Sequence, residues 1–228
     1  MKKTTFVALL LLSSQCVAES ITDSLAAIES EWASIYYRTP KQKQEIAFQK
    51  LLEKTSALIK QYPNAAEPIF WQAVVKATYA DHQDAFSALS SIHEARNLLE
   101  KAIAINPTAM SGSAYVTLGT LYYMVPKWPV AFGDDQKAQE LLETALKINP
   151  NGIDTNYFYG DFLLTHDNTS EAEKYFAKAA SAPARPEQLY ADNQLKAEAE
   201  LALKNTKNRK ISGAKNMFMS LFNSASAK

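Results

Sequence analysis

One pattern of small and large apolar residues recurs three times along this chain and restricts the folds open to it. A small residue is followed four positions later by a large apolar residue, then by a second small residue and a proline. The three copies are Ala95, Leu99, Ala102 and Pro107; Ala138, Leu142, Ala145 and Pro150; and Ala172, Phe176, Ala179 and Pro183. Such spacing is typical of a helix wedged between two neighbours in a stacked array. The sequence therefore predicts an all-α, right-handed superhelix of antiparallel helix pairs, with about eight or nine helices and no strand.

The period of the repeat points to a known superfamily. Ala138 and Ala172 are 34 residues apart, which is the period of the tetratricopeptide repeat. The earlier units are longer, because Pro63, Pro107 and Pro150 are spaced by 44 and 43 residues. The array thus resembles a tetratricopeptide solenoid with two enlarged units and one of standard length.

The extra length falls inside the helix pairs. Gly160 precedes its small-residue landmark by 12 residues and Gly119 precedes its own by 19, so about seven residues are added in the middle unit. We place this insert at 124–135 and a comparable, helix-like excess at 75–95. Glycine is costly in a helix interior, so Gly119 and Gly160 predict close helix crossing within each pair.

Local signals mark three helix ends. Ser111-Gly112-Ser113 reads as the turn that starts a helix, and Asn149-Pro150-Asn151-Gly152 reads as a stop and turn. Ser170-x-x-Glu173 has the spacing of a capping box. It predicts that the second helix of the last unit starts from Ser170 as its N-cap.

The first 18 residues read as a secretory signal peptide. Lys2 and Lys3 form a basic end, residues 6–12 are apolar, and small residues lead up to Ala18. This apolar stretch is too short to span a bilayer. The sequence therefore predicts a periplasmic or secreted protein, cleaved near Ala18, whose domain occupies residues 19–204.

Cleavage near Ala18 removes the only cysteine, Cys16. The mature chain then has no disulfide and no thiolate metal ligand. The alternative is a bacterial lipoprotein acylated at Cys16, although Gln15 and Ser13 stand where that motif takes a small and a branched aliphatic residue.

Charge is divided unevenly along the chain. Residues 19–204 hold 17 basic and 24 acidic side chains, whereas residues 205–228 hold five basic side chains and no acid. An acidic body is a poor platform for nucleic acid, whose binding depends on neutralising phosphates. The tail at 205–228 also carries apolar residues at helical spacing, so it either caps the last repeat or lies on an anionic membrane or a partner.

The chain carries a further resemblance over residues 65–182. The stretches 125–129 (VPKWP), 132–135 (FGDD) and 156–160 (NYFYG), set in the repeat array, resemble the periplasmic T component associated with some TRAP-type transporters. That resemblance implies an all-helical periplasmic protein that associates with a solute-binding subunit. It also implies a channel for an apolar ligand.

The concave wall of such an array is the predicted binding surface. In a solenoid the first helix of each pair lines this wall, which is left free for a partner. Counting from the glycine landmarks, and from Val75 in the first unit, predicts the following wall residues: Gln72, Lys76 and Tyr79; Val116, Thr120 and Tyr123; and Tyr157 and Asp161. Tyrosine-rich surfaces suit protein recognition, but apolar stripes at helical spacing also form cores.

Trp128 lies between Pro126 and Pro129 in the insert. A large aromatic residue on such a loop either plugs the core or offers an anchor to a partner. The preferred hypothesis is an adaptor that binds another protein, such as a solute-binding subunit, through the concave wall and the insert. The alternative is a transporter-associated component that binds a small apolar ligand in a cavity lined by Tyr79, Tyr123, Trp128 and Tyr157.

Catalysis and cofactors find little support in the sequence. His82, His93 and His166 are scattered and lack the convergent spacing of a metal site. No Gly-x-Gly-x-x-Gly or phosphate-loop motif occurs in the chain. We therefore expect a binding protein without cofactor or metal, and not an enzyme.

Overall fold

A computed structural model describes residues 20–206, which form nine α-helices and no β-strand. The helices are α1 (Ile21–Arg38), α2 (Lys41–Gln61), α3 (Ala66–Tyr79), α4 (Ala85–Ile105), α5 (Ser113–Met124), α6 (Asp135–Ile148), α7 (Ile153–Thr165), α8 (Thr169–Ser181) and α9 (Leu189–Thr206). This confirms the predicted all-α class. The predicted signal at 1–18 and all of the basic tail beyond Thr206 lie outside the described residues. None of the nine helices combines the length and the apolarity needed to cross a bilayer.

Consecutive helices pack as antiparallel pairs. The most extensive contacts join α3 with α4, α5 with α6, and α7 with α8, the three repeat units read from the sequence. Helices α1 and α2 precede them, and α9 packs on α8. The stacked pairs give the solenoid organisation that the repeat pattern predicts.

The repeat landmarks are the innermost residues of the second helix in each pair. Each of the nine apolar landmarks is at most 1% exposed, and they are Ala95, Leu99, Ala102, Ala138, Leu142, Ala145, Ala172, Phe176 and Ala179. Small residues at the first and third positions let neighbouring helices approach, and the large residue between them fills the gap. The three prolines of the same motif lie beyond α4, α6 and α8, where they cannot interrupt a helix.

Gly119 and Gly160 mark the close crossings inside two of the pairs. A Cβ added at Gly119 would lie 2.8 Å from Leu142 Cγ, and one at Gly160 would lie 3.0 Å from Phe176 Cδ1. Both distances are shorter than ordinary carbon contacts. The predicted role of these glycines in helix crossing is confirmed.

The two enlarged units differ in how they use their extra residues. Helix α4 has 21 residues, against 14 in α6 and 13 in α8, and a single 3-10 turn at Ala80–His82 precedes it. The excess at 75–95 therefore lengthens a helix. The insert at 124–135 instead forms the loop between α5 and α6.

Two of the predicted helix ends can be compared directly with their local geometry. Gly112 has φ of 83° and starts α5, as its left-handed conformation allows. The predicted cap at Ser170 is wrong, because α8 begins at Thr169 and its N-cap is Asn168. Asp167, with φ of 60°, forms a tight turn directly after α7. Because the turn is this short, α8 begins before Ser170.

The two ends of the array meet across its inner side. Helix α1 contacts α3 and α9, and α9 also contacts α7. The Arg38 guanidinium lies 3.8 Å from the centroid of the Tyr190 ring, and Gln188 Nε2 donates to Glu29 Oε2 at 2.6 Å. The sequence predicts a free concave wall, but in the structure α1 and α9 meet there and line a partly open cavity together with α3, α5 and α7. Aromatic residues on α1 account for this, since Trp32 packs against Trp71 of α3 with 6.0 Å between ring centroids.

Candidate functional site

The inner side of the array holds a partly open cavity of about 180 Å³. Side chains from α1, α3, α5, α7 and α9 line it, so each helix pair contributes its first helix. Most of the lining is apolar or aromatic, and these residues include Trp32, Phe70, Trp71, Val74, Val116, Leu121, Tyr157, Phe158 and Leu195. An apolar protein cavity of about 150 Å³ is large enough to hold benzene. This cavity therefore has the size for one small ring.

Trp71 brings a polar atom to the apolar lining. Its side chain is 5% exposed, and its indole nitrogen has no hydrogen-bond partner within residues 20–206. The neighbouring Trp32 differs, because its indole nitrogen donates to Thr78 Oγ1 at 3.0 Å. A buried donor without an acceptor is destabilising by about 1–3 kcal/mol. Trp71 thus offers a hydrogen bond to any acceptor atom that a ligand brings beside it.

The lining becomes acidic where α1, α7 and α9 meet. Asp192 is 2% exposed and accepts from Arg185 Nη2 at 2.6 Å, from Arg185 Nε at 3.0 Å and from the Arg185 backbone nitrogen at 2.7 Å. Asp154 accepts from the Ser113 hydroxyl at 2.7 Å. Both carboxylates belong to the cavity lining. The bidentate contact fixes the turn before α9 against α9 itself.

Glu29 and Glu198 complete the acidic part of the lining. Glu29 is 7% exposed, and burial raises its pKa to about 7 even though the nearby Arg185 and the hydrogen bond from Gln188 act in the opposite direction. Burial also raises the pKa of Glu198, against a hydrogen bond from Tyr157. Burial leaves each carboxyl poorly solvated, and the side chain that donates a hydrogen bond to it is neutral.

Three of the predicted wall residues lie at the cavity. Val116, Thr120 and Tyr157 line it and are 2%, 5% and 1% exposed. Two others pair with each other outside the lining, where the hydroxyl of the half-buried Tyr123 donates to Oδ2 of the buried Asp161 at 2.9 Å. Burial and the adjacent Asp161 raise the pKa of Tyr123 well above its ordinary value. This pair ties α5 to α7.

The predicted wall residues of the first unit lie elsewhere. Gln72 donates to Ser56 of α2 at 3.0 Å, and the Tyr79 hydroxyl accepts from Gln49 of α2 at 2.7 Å. The third, Lys76, forms an ion pair with a glutamate of α4 at 2.6 Å. The counting from Val75 is out of register, because a shift of one residue turns a helix by about 100°. The cavity is lined instead by other residues of α3, namely Phe70, Trp71, Val74, Ala77 and Thr78.

The insert presents Trp128 to solvent. Trp128 is 85% exposed and Val130 is 59% exposed. Phe132 anchors the loop, with its ring 5.2 Å from the Tyr122 ring and Arg96 4.6 Å above its centroid. Trp128 therefore does not plug the core, which is the first of the two roles predicted for it. The side chain is accessible as an anchor.

Several cavity residues escaped the sequence analysis. Trp32, Tyr36 and Tyr37 lie on neighbouring faces of one helix, a cluster that could have marked α1 as a packing surface. The missed lining residues include Glu29, Trp32, Trp71, Arg185, Asp192 and Glu198. Within the described part of the chain, no three His, Cys, Asp or Glu side chains are grouped so as to hold a metal ion.

The chain matches none of the models of known protein families, and no curated protein is similar to it in sequence at a significant level. The resemblance to tetratricopeptide proteins and to the TRAP-associated T component therefore stays a prediction from residues 65–182.

Proposed function

We propose that this protein binds a small, largely apolar ligand in the cavity between α1, α3, α5, α7 and α9. We further propose that it does so as a periplasmic or secreted member of the tetratricopeptide superfamily, related to the TRAP-associated T component. The observation that carries the binding proposal is the apolar cavity on the inner side of the array, whose lining includes Trp71, a residue with a buried indole N–H that has no acceptor within residues 20–206.

The physical argument starts from packing. Protein interiors are close-packed, so the apolar side chains that line a partly open cavity of about 180 Å³ lack the dispersion contacts of a filled core. An apolar ring would restore those contacts, and an acceptor atom on it would satisfy Trp71. Concave, mostly apolar sites with a few placed polar groups are typical of small-molecule binding.

A cavity-filling variant tests this proposal. Phenethyl alcohol, which joins a ring to one hydroxyl, is titrated into the protein while tryptophan fluorescence and heat are recorded. We expect saturable binding to the native protein and none to Val116→Phe, because Val116 lines the cavity and the larger ring would occupy it. Val130→Phe changes the same residue types on the exposed insert and should bind as the native protein does.

A second variant tests the proposal even where Val116→Phe fails to fold. Trp71→Phe keeps an aromatic ring and removes the indole N–H, so we expect weaker binding by about 3- to 10-fold with the helical circular dichroism unchanged. Absence of binding to the native protein, or equal binding to Val116→Phe, would contradict the proposal.

The exposed insert supports a second candidate function, an adaptor that docks on another protein. Trp128, at 85% exposure, stands on a loop that Phe132 anchors and that a Lys127–Asp135 ion pair of 2.5 Å braces. Exposed tryptophans are frequent binding hot spots. Because Val116, Thr120, Tyr157 and Asp161 of the predicted wall are buried, the insert is the most accessible part of the predicted adaptor surface. The partner implied by the resemblance is a periplasmic solute-binding subunit.

Trp128→Ala tests the adaptor function. We expect it to lose a cross-linked partner from periplasmic extract while its melting temperature stays within about 2 °C of the native value, since surface substitutions cost little stability. Phe86→Ala is the matched control, because Phe86 is equally exposed at 85% but lies at the start of α4. Loss of the same partner from both variants, or from neither, would contradict a specific role for Trp128.

A further inference from the structure

We infer that the ligand of the cavity is an organic cation, with a protonated amine or quaternary ammonium group on an apolar body about the size of one ring. This inference rests on the proposed function and specifies its ligand class. It follows from the juxtaposition, in one cavity, of an excess of carboxyl groups with a set of aromatic rings.

The carboxyl groups outnumber the cations of the lining. Glu29, Asp154, Asp192 and Glu198 all line the cavity, whereas Arg185 is the one basic residue among its lining side chains in the described part of the chain. Asp192 holds Arg185 through two guanidinium contacts of 2.6 and 3.0 Å. Within residues 20–206, no lysine, arginine or histidine lies within 4.0 Å of the other three carboxyls.

Those three carboxyls receive only neutral donors. Gln188 donates to Glu29 at 2.6 Å, Ser113 donates to Asp154 at 2.7 Å, and Tyr157 hydrogen-bonds Glu198. A buried carboxylate is costly, and Arg185 offsets that cost for Glu29 only in part, so the pKa values of Glu29 and Glu198 are raised. A cationic group in the cavity would stabilise both ionised forms, whereas an anionic group would be repelled.

The aromatic lining favours the same charge. Trp32, Tyr37, Trp71, Tyr157 and Phe158 contribute rings to the lining. The face of an aromatic ring attracts cations, and tryptophan does so most strongly. Acidic groups and aromatic rings together are the elements by which proteins recognise ammonium ligands. The Trp71 N–H adds a site for one oxygen on the apolar body.

Three ring compounds of similar size and different charge test the inference. Phenethylamine, phenethyl alcohol and phenylacetate are each titrated into the full mature chain by calorimetry, at about pH 8, which is above the pKa of Glu29 and where the amine is protonated. We expect the amine to bind about tenfold more tightly than the alcohol, and phenylacetate more weakly than either. Added salt should weaken the binding of the amine and should not weaken the binding of the other two compounds.

Variants that each remove one charge show which carboxyls cause the preference for the amine. Glu29→Gln and Glu198→Gln should each reduce the preference for the amine over the alcohol by about 3-fold or more, while binding of the alcohol persists. Glu200→Gln is the control, since Glu200 is exposed on the same helix as Glu198. Equal binding of amine and alcohol would overturn the inference and leave the proposed function standing. No binding of any of the three compounds would overturn both.

Discussion

At the scale of single residues, Glu29 links the closure of the array to pH. It is 7% exposed on α1 and accepts a hydrogen bond from Gln188, which precedes α9. Burial raises its pKa from 4.5 to about 7, with Arg185 opposing that shift and Asp192 and Glu187 adding to it. Around neutral pH the contact between the two ends of the chain therefore includes a carboxyl group near its titration midpoint.

The direction of the resulting pH dependence follows from linkage. Since the folded pKa is the higher one, the folded state binds a proton more tightly than the unfolded state. The stability contributed by Glu29 is therefore fully present below about pH 4.5 and is lost as pH rises to about 7. Glu29→Gln stays neutral throughout. We expect this variant to melt at a higher temperature than the native protein at about pH 8, by an amount that shrinks towards pH 4.5.

Circular dichroism melts at a series of pH values measure this difference. Glu200→Gln, an exposed carboxyl on α9, should show no such trend, because solvent screens an exposed charge. A constant difference between Glu29→Gln and the native protein at all pH values would contradict the assigned environment of Glu29.

At the scale of helices, the pairs are held at a short distance by their glycines. An alanine Cβ at position 119 would lie 2.8 Å from Leu142 Cγ and 3.2 Å from the Ala138 carbonyl oxygen. Leu142 is 0% exposed, so it has little room to move. We expect Gly119→Ala to destabilise the protein by about 1–2 kcal/mol, since overpacking outweighs the gain of about 1 kcal/mol in helix propensity.

Urea denaturation measures that loss as a lower midpoint with an unchanged slope. Gln139→Ala, on the exposed face of α6, is the control and should change stability by less than about 0.5 kcal/mol. A Gly119→Ala protein that is as stable as the native one, or more stable, would show that the crossing of α5 and α6 is looser than described.

The helix pairs were predictable because their signals are local. Ala138, Leu142 and Ala145 fall on one helical face, and Gly119 lies on the preceding helix of the same pair. The register of α3 was not predictable in the same way. That unit has no glycine landmark, and Val75 is buried at 0% exposure but does not line the cavity, so counting from it selected the face that meets α2 and α4.

The closure of the array also could not be predicted from local sequence patterns. The hydrogen bond between Glu29 and Gln188 joins residues separated by 159 positions, and no periodic pattern encodes a contact of that range. The cavity residues on α1 and α9 escaped prediction for this reason, whereas Val116, Thr120 and Tyr157 were found from their place in the repeat. Periodicity shows which face of a helix is inside and not what lies opposite it.

At the scale of the whole molecule, closure separates two kinds of surface. The inner side of the array, where an open solenoid presents a groove, here forms a partly open cavity of about 180 Å³ between α1, α9 and the repeat helices. The insert at 124–135 lies at the surface with Trp128 exposed. A small ligand inside and a protein partner outside are therefore compatible, because the two sites use different residues.

The presence of a ligand site inside the array is the central claim, and native mass spectrometry tests it most directly. The mature protein is purified without detergent, weighed under native conditions with and without phenethylamine, and then denatured to release bound molecules. We predict one small organic molecule per chain, either co-purified or taken up from the added amine, and no such adduct with Val116→Phe. A native protein that stays bare under both conditions would contradict the account.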